Sequence, residues 1–216
     1  MQRLNSLALI AVIFVLMAFT VQISRQPAAH KSTVNNPAPA KITTFLVNNQ
    51  QSKLTWTGKK VTGEHSGNIN INGGTLQVEN NALKSGTFTL DTRTITNTDI
   101  TDPETRSKLL THLKSDDFFS VEKFPVAEFT ITGVTAKGTG KYDVAGKLTI
   151  KGITNNITFP ATIAVANNKL SAKANIKIDR TKYDIKFRSK SFFENLGDKV
   201  IYDDFDLDVV LVASAQ

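Results

Sequence analysis

Cysteine is absent from the 216-residue chain. That excludes disulfides, thiolate metal sites, a cysteine nucleophile and a lipid-modified N-terminal cysteine. Histidine is scarce: His30, His65 and His112 stand far apart, without the i, i+4 pairing or nearby acid cluster of a metal site, so neither metal nor cofactor is expected. No Gly-x-Ser-x-Gly elbow, phosphate loop or dinucleotide fingerprint occurs, no catalytic residue is assigned, and the chain is read as a non-enzyme. A hydrolase would need Glu128 or Asp91 to share a pocket with a second acid. Also missing is a one-sided basic stripe. The formal charge is +7, but Arg3, Arg25, Lys31 and Lys41 supply +4 of it without any acid, and the remaining 22 basic and 19 acidic residues interleave. Nucleic acid is therefore not an expected partner. Asp203, Asp204, Asp206 and Asp208 suggest a calcium ladder at first sight, yet three of them share one face of a strand and read as its solvated side.

One long uncharged apolar run is present, from Leu7 to Val21, preceded by Arg3. Its length lies between a signal-peptide core and the roughly 20 residues of a membrane span. The best cleavage site is Ala18-Phe-Thr20, with Thr where Ala is usual. Residues 1–23 are thus either a signal peptide or a retained membrane anchor, and both readings stay open. Pro27, Pro37 and Pro39 among Ala, Ser, Thr and Asn mark 24–42 as a flexible linker. The folded body is expected over 43–213.

In that body apolar and polar residues alternate, the mark of half-buried antiparallel strands. Leu54 and Trp56, Phe88 and Leu90, Phe129 and Ile131, Leu148 and Ile150, Leu170 to Ile178, and Phe205 to Leu211 each put apolar side chains on one face. Asn72-Gly-Gly74, Asn80-Asn81, Gly138-Thr-Gly140, Asn155-Asn156 and Asn167-Asn168 supply residues tolerant of positive φ for turns, with a bulge as the alternative at Asn155-Asn156. One short helix is expected from Pro103 to Leu113, with Asp102 as its cap and proline at the first helical position. About eight strands with one polar face must stack as two sheets or close on themselves, and periodicity does not choose between these.

Three stretches carry a resemblance: His112-Leu-Lys-Ser-Asp-Asp-Phe-Phe119 followed by Phe124-Pro-Val-Ala-Glu-Phe129; Gly146-Lys-Leu-Thr-Ile-Lys-Gly152 followed by Ile157-Thr-Phe-Pro160; and Ile178-Asp-Arg-Thr-Lys-Tyr-Asp184. Phe192-Phe193-Glu-Asn-Leu-Gly-Asp198 and Tyr202-Asp-Asp-Phe205 add to it. Together they resemble the YceI-like family of bacterial polyisoprenoid-binding proteins. The resemblance implies an all-β fold, an extended antiparallel lipocalin-like barrel of about eight strands with one short helix. It also implies export to the periplasm or cell envelope, with a polyisoprenoid, isoprenoid quinone or fatty-acyl compound held inside for transport, storage or stress protection. Homodimers occur in the family, and a retained N-terminal segment would add the membrane as a partner.

The expected apolar lining is Phe88, Leu90, Phe129, Ile131, Leu148, Ile150, Ile176, Ile178, Phe205 and Leu207, with a filled core as the alternative use of the same residues. The pairs Phe118–Phe119 and Phe192–Phe193 break alternation and are assigned to a barrel mouth or lid, or else to a plug of ordinary core. Arg180 shares the parity of Ile176 and Ile178. It is expected to point inward, toward a ligand head group or into an ion pair with Asp91 or Asp184. His112 either meets a head group or caps its helix. The runner-up for the whole chain is a non-catalytic envelope interaction domain, a β-sandwich with a fully packed core.

Overall fold

A computed structural model describes residues 41–216. The signal or anchor segment and nearly all of the linker lie outside the described residues. Alternation becomes nine antiparallel strands: β1 Ile42–Val47, β2 Lys53–Lys60, β3 Gly63–Glu79, β4 Ala82–Asp91, β5 Val126–Gly138, β6 Lys141–Ile150, β7 Ile153–Ala166, β8 Lys169–Asp179 and β9 Ile201–Ala215. β8 illustrates the rule: Leu170 and Ile178 are buried while Lys169, Ser171 and Lys173 are exposed. Successive side chains on a strand point to opposite faces, so an alternating sequence buries one side of the sheet.

The sheet closes on itself through β3 and β4, in the cyclic order β3-β2-β9-β8-β7-β6-β5-β4. A closed barrel rules out the packed two-sheet sandwich. Nine strands fill eight positions because β1 and β2 share one. β1 pairs with the C-terminal half of β3 through Phe45↔Leu76 and with the end of β9 through Phe45↔Ala215. β2 pairs with the N-terminal half of β3 through Trp56↔Gly67 and with β9 through Trp56↔Leu207. The two segments are therefore one stave interrupted at Asn48–Ser52, where the Asn48 side chain accepts from the Gln50 and Gln51 amides.

Two of the expected turns lie elsewhere. Asn72-Gly-Gly74 is inside β3, at a register shift between Ile71 and Gly73. An extra residue on one strand bends it and sharpens its twist. Asn155 and Asn156 are inside β7, paired with Leu148 and Lys147, and the β6–β7 turn is carried by Lys151 and Gly152 at positive φ. Asn80-Asn81 and Asn167-Asn168 turn at positive φ, and Gly138 and Gly140 flank the β5–β6 hairpin. β5 and β4 pair only from Gly86↔Ile131 to Asp91↔Val126, and β7 and β8 only from Ala161↔Ala174 to Ala166↔Lys169.

The helix α1, Pro103–Lys114, lies in the β4–β5 connection, and the Asp102 side chain accepts from the Thr105 amide at 2.7 Å. Together with the segments 115–125 and 180–200 it covers one end of the barrel, where Leu113, Phe118, Val121, Tyr183 and Ile185 are buried. At the other end short hairpins suffice, and Leu76, Leu170 and Ala213 are fully buried between the staves.

A strap of residues 94–99 takes the free edge of β3 that β4 does not reach. The Thr96 and Thr98 amides donate to the Asn68 and Ser66 carbonyls, and the Trp56 indole N–H donates to the Thr96 carbonyl at 3.1 Å. Asp99 pins it, accepting from the Ser66 amide at 2.7 Å and lying 2.8 Å from the His65 ring nitrogen. Partial burial raises the Asp99 pKa, but the hydrogen bonds from His65, Ser66 and Asn97 outweigh it and hold the carboxyl below the ordinary value of 3.8. Its contribution to stability is then complete above that value and lost as pH falls through the lowered native one. The protection of the Thr96 and Thr98 amides, their exchange rates relative to the intrinsic rates at each pH, is expected to fall with acidification over that window. In Asp99→Asn the window should vanish.

Candidate ligand-binding site

The barrel interior holds two apolar cavities. The first, of about 120 Å³, is walled by side chains from β2, β3, β4, β5, β6, β7, β8 and β9. The second, of about 100 Å³, lies toward the end covered by α1 and reaches Ile95, Leu113, Phe118 and Ile185. Leu54, Leu90, Leu148 and Leu207 line both. These four leucines form the partition between them. Each chamber is smaller than the roughly 150 Å³ engineered apolar cavity that stays dry and takes benzene. A longer guest therefore needs the partition to yield by rotation of its side chains, motions that are fast and local.

Of the ten residues expected to line the interior, Phe88, Leu90, Phe129, Ile131, Leu148, Ile176, Ile178 and Leu207 border the first cavity. Ile150 and Phe205 border the second. The rings are held by a device that residue parity does not reveal. A Cβ on Gly74 would lie 2.8 Å from the Phe88 ring, and one on Gly146 would lie 2.3 Å from the Phe129 ring. Each ring thus lies over the bare backbone of the neighbouring strand. The Phe88 and Phe129 centroids are 6.4 Å apart and stacked, and Phe159 continues the row at 5.5 Å from Phe129. Phe159 is not among the expected lining residues, and the significance of an aromatic row depends on three strands at once.

The polar candidates fall into place differently. Arg180 points inward beside the second cavity and is buried. Its partners are neither Asp91 nor Asp184: the guanidinium donates to the Tyr202, Ile185 and Ile201 carbonyls at 3.0, 2.8 and 3.0 Å and meets Asp203 at 3.4 Å. Asp91 is taken by Arg93 and Asp184 by Lys186. Four of the five guanidinium donors are thus spent tying the 180–203 segment together. Burial lowers the Arg180 pKa, opposed by Asp203 and Asp179. Tyr183 beside it is almost wholly buried, its hydroxyl has no partner among the described residues, and burial pushes its pKa up to about 12.

His112 does not cap α1 with its side chain. Its ring contacts Asp117 at 3.0 Å and lies edge-on to Phe118 and Phe187, while its carbonyl accepts from Ser115. Phe118 and Phe119 border the second cavity. Phe192 and Phe193 do not lie over either chamber: they are 50% and 49% exposed on an outer loop, with the Lys186 ammonium 5.1 Å from the Phe192 ring. Ser189 accounts for this placement, because its carbonyl accepts both phenylalanine amides and turns the loop outward. Acids stay outside. Glu128 accepts from Thr130, Asp206 bridges Lys59 and Lys177, and Asp208 accepts from Asn175. Among the described residues no cluster of three or more metal-ligating side chains forms.

Gly146→Ala is expected to drive the Phe129 ring off its seat and destabilise the barrel by about 1–3 kcal/mol, the usual cost of overpacking. Thermal unfolding measures the loss, and the near-ultraviolet dichroism of the aromatic row should change with it.

Comparison with known proteins agrees with this architecture. The structure superposes on Burkholderia cenocepacia BcnA with a TM-score of 0.63 at 21% identity, covering 78% of this chain and 99% of that one. A polyisoprenoid binding domain from Saccharophagus degradans, implicated in plant cell wall breakdown, gives 0.58 at 14% identity, covering 82% and 100%. At these identities the likeness is one of fold. A UPF0312 protein of Vibrio vulnificus is 50% identical over 50 residues, 23% of this chain and 26% of the relative. The matched stretch thus spans about a quarter of that relative's length. The sequence model of the YceI-like domain matches residues 45–213, nearly the whole barrel, and the chain belongs to the YceI-like family.

Proposed function

We propose that this protein is a lipid-binding barrel that holds the chain of an isoprenoid or fatty-acyl amphiphile. The observation that carries the reading is the interior: two cavities lined mainly by aliphatic and aromatic side chains, with Lys173 in the first and Thr92, Arg180 and Asp204 in the second as the polar exceptions, and separated by four leucines. Such a space cannot hold a polar substrate, since an unpaired polar group there costs several kcal/mol on roughly the scale of water-to-hydrocarbon transfer. A linear hydrocarbon suits it, because its free energy of binding comes from apolar area removed from water, about 25 cal/mol per Å². The polyisoprenoid-binding domain that shares the fold supports the choice of ligand class. Family membership and the apolar run at Leu7–Val21 support placement in the periplasm or at the envelope membrane. Sequestration, delivery and storage all use the same hollow barrel.

The full chain, purified from bacterial lysate containing membranes, should carry a discrete added mass in native but not denaturing mass spectra, and that mass should extract into organic solvent. A bare protein that also ignores added retinol and palmitate would overturn the reading in favour of an interaction domain. Leu148→Trp, which fills the partition, should lower retinol uptake by about tenfold, the order expected when a bulky group occupies an apolar pocket. Intrinsic retinol fluorescence measures it.

A further inference from the structure

The β7–β8 ladder stops at Ala161↔Ala174, although both strands run on, β7 back to Ile153 and β8 forward to Asp179. The next rung would need the amide of residue 160, which is proline and has none. Beyond it the two strands part. At the far end of the slot the lips are stitched again, by the Asn155 side chain donating to the Lys182 carbonyl at 2.9 Å. The result is a bounded slit in the barrel wall, with unpaired backbone on both sides among the described residues.

The β4–β5 ladder also stops short, at Gly86↔Ile131, but there Leu83, Ile131 and Val144 are buried and the wall is sealed. At the β7–β8 slit the inward residues Ile157, Phe159, Ala174 and Ile176 are only half-buried, though all four line the first cavity. Outside, the slit abuts a groove of about 520 Å³, and Ala161, Lys173, Ala174 and Val209 line both groove and cavity. Two of those four are alanines, so the wall is thin at this point.

Charge is arranged accordingly. Lys173 is the one charged residue lining the first cavity, and Lys137, Lys141 and Lys173 line the groove with Asp143 and Asp208. Asp143 is paired with Lys137 at 2.9 Å and Asp208 accepts from Asn175 at 2.8 Å. Three lysines against two carboxylates leave the groove with a net charge of +1, and neither Lys141 nor Lys173 is in an ion pair among the described residues.

We propose that ligand enters and leaves sideways through the slit between β7 and β8, tail inward along the Phe159–Phe129–Phe88 row, with an anionic head group seated in the outer groove at Lys141 and Lys173. This rests on the lipid-binding reading. It moves the head group away from Arg180, whose donors are spent on backbone carbonyls, to a place where a charge keeps its water. Lateral entry also spares the capped ends, neither of which needs to unfold.

Retinol and retinoic acid share one isoprenoid chain and differ in head group, neutral in the first and anionic in the second. In the full chain, which has no native cysteine, Pro160→Cys/Asn175→Cys places a lock on the rung next to Ala161↔Ala174. Oxidised and reduced forms of the same protein should differ by about tenfold in retinol release rate with similar affinity, as for a gate rather than a contact. Lys141→Ala, in the groove but outside the cavity lining, should weaken retinoic acid by about twofold to threefold, the scale of one exposed charge contact, and leave retinol unaffected. If the disulfide does not form, Asn155→Ala replaces it and should hasten release by freeing the far end of the slit. Retinol that binds but leaves the locked and open forms at one rate overturns the portal alone, as does Asn155→Ala with unchanged release. Equal losses of both probes, or none, in the lysine variant overturn the head-group seat. Failure of the unsubstituted protein to bind either probe overturns portal and lipid reading together.

Discussion

β3 is the member on which the ring depends. Over its length Gly63–Glu79 it is paired with β2 and β1 in succession on one side, and on the other with β4 and the strap of residues 94–99. Without the β3–β4 rungs the sheet would be an open ribbon with two free edges, and a hollow apolar interior would face water. Closure satisfies the backbone of the edge strands and at the same time encloses the cavities, so hydrogen bonding and ligand capacity are consequences of one event. The bulge at Ile71–Gly73 serves the same end: it gives β3 the local bend that brings its second half against β1 and β4.

A hollow barrel has fewer interior contacts than a filled one, and its stability must come from its ends. One end is packed shut by Leu76, Leu170 and Ala213. The other is held by the segment around Arg180, where a charged side chain bonds three backbone carbonyls that would otherwise be left without donors. The cost of burying the guanidinium is offset by the groups it satisfies, the condition under which buried charge is tolerated. Next to it the Tyr183 hydroxyl is buried without such compensation among the described residues.

Much of the fold was legible because alternation is written residue by residue: Leu170 to Ile178 in β8 and the capped helix after Asp102 needed only local information. What escaped was relational. Asn72-Gly-Gly74 and Asn155-Asn156 carry turn chemistry yet lie within strands, because pairing with β4 and β6 outweighs local preference. The parity of Arg180 placed it inward, but its carbonyl partners have no signature in sequence. Gly74 and Gly146 matter only through rings on adjacent strands, and Phe192 and Phe193 were read from their pairing alone as a barrel mouth or lid, or else a plug of core, where a Ser189-anchored turn leaves them exposed. The lining positions were readable as an inner face; whether that face encloses space depends on the curvature of the whole sheet.

The split stave sets an order of assembly. Ser52, between β1 and β2, is bonded to the Val212 carbonyl of β9 across 160 positions of sequence, and both segments of the stave use β9 as one of their two neighbours. During synthesis the first two strands emerge long before that neighbour exists. No partial chain that stops short of β9 can close the ring, and the nascent polypeptide stays open, loop-closure entropy unrecovered, until the ninth strand is made. A protein so arranged remains threadable until β9 is made and becomes rigid only then.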